Sequence, residues 1–164
     1  MRTNTKATKI AMIRHLLLTN TAFLEEALRI IYEHQTMEEK MWHSTHCINN
    51  TGFNKLDAPD LSRYANLIAH HGHLQGQALA DARRRMVKYA RQLADSETVQ
   101  ARLLQLQIQG TIQRETPRAL LIKVGQQELW IPKSVIYSPY DANTNSNQPF
   151  LIADWFLQSK GLRP

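Results

Sequence analysis

Cysteine is nearly absent. Cys47 is the only one, so no internal disulfide framework can form. That composition fits a reducing, cytoplasmic setting. Long apolar runs are missing as well. Residues 12–18 are too few to span a bilayer and are interrupted by Arg14 and His15. No membrane partner is therefore expected. The phosphate-cradling patterns G-x-x-x-x-G-K and G-x-G-x-x-G do not occur, so nucleotide hydrolysis is not indicated. Carboxylates in a phosphodiesterase-like pairing are also lacking; Asp57 and Asp60 read as helix-start residues. Residues 2–9 are basic and threonine-rich, carry no cleavable signal pattern, and read as a frayed terminus.

What is present is an ordinary apolar content with an excess of positive charge. The 164 residues suffice for one domain or two small ones with a real core. The formal net charge of +6 and a pI near 9.7 favour polyanionic partners. That charge is concentrated. Leu79, Ala82, Met86, Ala90 and Leu93 recur at helical spacing and predict one apolar face. Arg84, Lys88 and Arg91 fall opposite, flanked by Arg83 and Arg85. These five cations lie within nine residues, with no carboxylate after Asp81 to neutralise them. A solvated helix face is one reading of such a run. The other is an electrostatic footprint for phosphate, which Arg63 would extend.

Along the chain, residues 9–18 predict a short helix. Asn20 or Thr21 caps the next one, with Phe23, Leu24, Ala27, Leu28, Ile31 and Tyr32 as its inward stripe. Glu25 and Glu26 sit where its dipole favours anions. Thr36 and Glu39 form a capping-box pattern for a third helix. Pro59 suits the first turn of a fourth, which Gly72 ends, and the basic helix follows. Composition then breaks near Ser96. Leu104, Leu106 and Ile108 alternate with glutamines, the period of a strand with one buried face. Residues 119–124 and 128–131 predict two more strands around a Gly125-Gln126 turn, and Pro132 stops that ladder. Residues 137–148 read as a long loop, 150–152 as a last strand, and Asp154 opens a short helix that Gly161 stops. The expectation is an α+β protein: a helical bundle over residues 1–96, then a small β-rich domain over 97–164. An SH3-like or OB-like barrel would hide the edges of so small a sheet.

Two blocks carry a resemblance. Gln35-Thr36 with Glu39, Asn50, Gly52-Phe53, Asp57-Ala58, Lys88-Tyr89 and Gln92-Leu93 form the first. The second is Trp130-Ile131-Pro132-Lys133-Ser134, then Asp154-Trp155-Phe156 and Gly161-Leu162. The chain thereby resembles small proteins of phages, plasmids and genomic islands that accompany helicase-like proteins. The resemblance implies a mobile-element protein near DNA transactions and transfers no mechanism.

Other constellations carry less. His43, His46 and Cys47, with His70, His71 and His73, supply residue types that zinc takes, but their spacing matches no zinc-finger signature. Exposed turn histidines are the favoured reading, so no metal and no cofactor is expected. A Cys47–histidine pair has the residue types for nucleophilic catalysis, yet a lone cysteine among apolar neighbours is more often inert. Trp130, Tyr137 and Tyr140 are candidates for base stacking, with burial of Trp130 preferred because strand tryptophans usually pack inward. The sequence therefore predicts a non-enzymatic nucleic-acid-binding accessory protein that contacts DNA or RNA phosphates through Arg83, Arg84, Arg85, Lys88, Arg91 and Arg63. The alternative is a protein-interaction module, such as a phage-type inhibitor or adaptor docking on a host nucleoprotein complex like a CRISPR effector.

Overall fold

A computed structural model describes residues 6–35 and 52–162. The helix expected from Thr36, together with His43, His46 and Cys47, lies outside the described residues. The rest is mixed: helices first, then a four-stranded antiparallel sheet with a short helix after it. The chain divides into two compact units, residues 13–99, and residues 100–164 with 1–12. No described helix is long and apolar enough to cross a membrane.

The described residues of 13–99 are mostly helical. Helix α1 spans Lys6–Thr19 and α2 spans Thr21–Glu33. Asn20 caps α2, its side chain accepting from the Phe23 N–H at 2.9 Å. The predicted stripe is buried at Phe23, Leu24, Ala27, Leu28 and Ile31. Each of the large ones among these contributes roughly 1.5–3 kcal/mol by leaving water. Helix α3 (Ala58–His71) carries its proline in the first turn and stops at Gly72, whose φ of 86° suits a residue without a Cβ. Its Leu61, Ala65 and Ile68 are buried, and the helix packs against α2. Glu25 does not serve its own helix. Its buried carboxylate accepts from the Leu74 N–H at 2.7 Å and meets His73 Nδ1 at 3.0 Å, tying the turn after α3 to α2.

The predicted single basic helix is broken. Helix α4 covers Gly76–Met86, a 3₁₀ turn covers Val87–Tyr89, and α5 covers Ala90–Ala94. Ala82, Met86, Ala90 and Leu93 are buried as expected, while Leu79 is only half-buried. The tightened turn falls where Tyr89 is held by hydrogen bonds to Asp57 and to the Asn54 backbone.

The Leu104–Ile108 alternation is also corrected. Helix α6 spans Glu97–Leu106, and strand β1 begins only at Gln107, running to Glu115. Val99, Leu103 and Leu106 are buried at helical spacing, and Leu104 stands 69% exposed. Strands β2 (Ala119–Val124) and β3 (Gln127–Pro132) form a hairpin about Gly125, at φ 59°. Strand β4 (Gln148–Leu151) pairs with β1, giving the order β3-β2-β1-β4. Helix α7 (Asp154–Ser159) follows. One face of the sheet forms the core with Ile112, Leu120, Ile122, Ile131 and Phe150, and Leu157 of α7 belongs to the same cluster. Pro132 ends β3, and a 3₁₀ turn at Lys133–Val135 redirects the chain. Ile136 then bridges Ile152, and the Tyr137 N–H donates to the Leu151 carbonyl at 2.8 Å. The loop after it is pinned by Ser138, whose Oγ accepts from the Leu151 N–H at 3.0 Å.

Candidate nucleic-acid interface

The cations of α4 do not stand alone. A chain bend places the start of α3 beside the end of α4, and three carboxylates meet the basic run there. Asp57 lies just before α3, where its side chain makes no cap hydrogen bond. Its carboxylate turns instead to α4 and the 3₁₀ turn. Oδ2 accepts from the Tyr89 hydroxyl at 2.7 Å and from Lys88 Nζ at 2.6 Å, while Oδ1 faces Arg85 Nη1 at 3.3 Å. Arg85 also reaches Asp60 Oδ2 at 2.9 Å and Asp81 Oδ2 at 2.7 Å. Asp81 further accepts from Arg84 at 2.5 Å and from the Tyr64 hydroxyl at 3.1 Å. Arg63 pairs with Asp60 at 3.5 Å and lies over the Tyr64 ring.

Burial by itself would raise the Asp57 carboxyl, but the hydrogen bonds from Lys88 and Tyr89 and the nearby positive charge bring it below its ordinary value. Asp81 follows the same pattern, with Arg84 and Arg85 outweighing burial. The Tyr89 hydroxyl moves the other way: burial and the adjacent Asp57 charge hold its proton in place. Both aspartates are therefore anions at neutral pH, and Tyr89 is a donor. The Tyr89 oxygen also accepts from the Asn54 N–H at 3.0 Å.

The sequence suggested that nothing after Asp81 neutralised the cations. Space corrects this, because Asp57 and Asp60 arrive from the preceding helix. The six predicted phosphate contacts separate accordingly. Arg85 is three-quarters buried and occupied by three carboxylates. Arg83 is half-buried; its Nη2 donates to Thr21 Oγ1 at 2.9 Å, and its buried Nε has no partner among the described residues. Arg84, Lys88 and Arg63 keep exposed side chains, with relative exposures of 76%, 50% and 63%. Arg91 is exposed on α5. Asp57, Arg84, Arg85 and Lys88 line a shallow pocket of about 300 Å³.

Asp57, Asp60, Asp81 and Tyr89 were not in the predicted set. Their signal was present but local: an aspartate before a proline-started helix reads as a cap, and nothing in the sequence shows that it reaches residues 85–89. His70, His71 and His73 are exposed, and no metal-binding group of histidine, cysteine and carboxylate exists among the described residues. Trp130 is 45% exposed, against the expectation that it packs inward. Tyr137 and Tyr140 pack against the sheet core instead, Tyr140 with its ring 6.4 Å from Phe150.

No protein-family model, no curated protein and no solved structure matches this chain.

Proposed function

We propose that the protein is a non-enzymatic nucleic-acid-binding accessory protein of a mobile genetic element. The observation that carries this reading is the line of exposed cation ends at Arg84, Lys88 and Arg91, in a chain of net charge +6. Arg84 and Lys88 are held by carboxylates beneath them, so their positions are set before a phosphate arrives. Arg63 stands at the margin. Arg83 and Arg85 support the helix and contact phosphate less directly. The sheet unit is read as a small SH3- or OB-like barrel. The reading is supported by the Ile136–Ile152 bridge, which ties the chain leaving β3 to the edge of β4 away from β1.

The test replaces Arg84, Lys88 and Arg91 with Gln, which preserves helix propensity. For duplex DNA, the slope of log affinity against log salt should fall by roughly 2 to 3 units for three lost contacts. The loss should be similar across sequences, because phosphate contacts position rather than specify. A folded triple variant with the parent's affinity and slope would remove this face from consideration.

The second reading is a protein-interaction module, an inhibitor or adaptor that docks on a host nucleoprotein complex. It is favoured by Leu56, 84% exposed next to Asp57, and by Trp155, 64% exposed on α7. Absence of oligonucleotide binding by the parent, with loss of a protein partner in the triple variant, selects it.

A further inference from the structure

The outer face of the sheet carries a feature that the basic helix does not explain. Side chains alternate across β2 and β3: Leu120, Ile122 and Ile131 are buried, and Leu121, Lys123 and Trp130 take the other face. The register sets Trp130 opposite Leu121, and Leu121 opposite Arg114. Arg114 reaches this row only through a bulge. By simple alternation it would share the inward face with Ile112. The register slips between Ile112 and Arg114, which pairs Arg114 with the outward Leu121. Lys123 lies one outward position along β2, opposite Thr111 on β1 and Glu128 on β3. The face thus presents a tryptophan in a row with an apolar residue and an arginine, and a lysine beside them. Two cations stand there against the single carboxylate of Glu128.

We propose that this face is a stacking platform for single-stranded nucleic acid, with a base on Trp130 and the neighbouring phosphates on Arg114 and Lys123. A flat, solvent-facing ring takes another flat π-system, and adjacent cations select one that carries negative charge. An unpaired nucleotide has both, whereas bases inside a duplex offer their faces only to each other. Neighbouring strands lie roughly 4.8 Å apart, so Arg114 begins about 10 Å from Trp130, a distance its long side chain shortens. The platform rests on the nucleic-acid reading above but uses residues of the sheet unit alone.

The experiment measures binding of the full chain to dT and rU homopolymers, to the same polymers with abasic sites, and to duplex DNA. Trp130→Ala should lower single-strand affinity about tenfold or more, and Trp130→Phe should stay within about threefold of the parent. Duplex binding should not change. Abasic probes should weaken the parent as much as Trp130→Ala does, and should weaken that variant no further. Arg114→Gln should flatten the single-strand salt slope by about 0.7. Should Trp130→Ala fold poorly, the abasic probe on the parent decides alone. Parent-like single-strand affinity in Trp130→Ala, with binding lost in the Arg84, Lys88 and Arg91 variant, overturns the platform and spares the nucleic-acid reading. A parent that binds neither strand form overturns both, and leaves Trp130 as a surface for protein contact.

Discussion

Asp57 shares one carboxylate among a tyrosine, a lysine and an arginine, and is itself 3% exposed. A buried charge so placed depends on its partners, and they on it. Asp57→Asn keeps the shape and removes the charge, leaving Lys88 without its anion and Arg85 with Asp60 and Asp81 alone. A loss of about 2 kcal/mol in unfolding free energy is expected, read from denaturant midpoints. The pH dependence has a definite sign. Asp57 and Asp81 both have folded values below the ordinary aspartate value. Their contribution is therefore complete above that ordinary value and is lost as pH falls through the folded values. Melting temperature should drop on acidification in that window, and less steeply in Asp57→Asn than in the parent. An equal slope in both would show that other carboxylates govern acid unfolding. At this scale the sequence was half legible. The cations of residues 83–91 were visible as a cluster, but two of their carboxylate partners, Asp57 and Asp60, sit more than twenty positions earlier, and periodicity carries no information about such pairings.

Among the elements, the strands were read more truly than the helices that adjoin them. Residues 119–124 and 128–131 announced themselves by β-branched and apolar runs on either side of a glycine turn. The junction of α6 and β1 misled because Leu104, Leu106 and Ile108 alternate across it, while Val99, Leu103 and Leu106 keep a helical spacing through the same residues. Two periods overlap there, and burial decides for the helix up to Leu106. The break in the basic helix had no glycine or proline to mark it. It follows from long-range bonds to Tyr89. Strand β1 offers its own test at Gly110. A Cβ there would lie 2.6 Å from Ile122 Cγ2 and 3.0 Å from the Lys123 carbonyl oxygen. Gly110→Ala should therefore cost about 1–3 kcal/mol, despite alanine's smaller backbone entropy loss. A variant as stable as the parent in urea would mean that β1 and β2 separate more easily than their register implies.

For the whole molecule, the polar, aperiodic stretches of the sequence point proteases to two places, residues 93–99 and the loop of residues 137–148. The backbone of the first is bonded throughout: the Asp95 and Ser96 N–H groups donate to the Gln92 and Leu93 carbonyls, and α6 starts at Glu97. The residues that remain accessible are 143–147, where hydrogen bonds are local, as between Asn143 and Asp141 or Thr144 and Ser146. Limited proteolysis should cut there first, and the halves should stay together under native conditions because β4 remains paired with β1. First cleavage inside residues 78–88 would show that the ion pairs do not hold α4.

The pairing of β1 with β4 also has a consequence in time. A ribosome releases β1, β2 and β3 well before Gln148 to Leu151, so one edge of β1 waits through some thirty residues of synthesis for its neighbour. During that interval an unpaired ladder stays open, with Gly110 offering no side chain and Gln107 and Gln109 no charge to guard it. Helices of residues 13–99 meet no such delay, since every partner named in their core has already been made. The nascent chain thus carries its basic face in finished form while its sheet is still open, and the strand made last is the one that closes it.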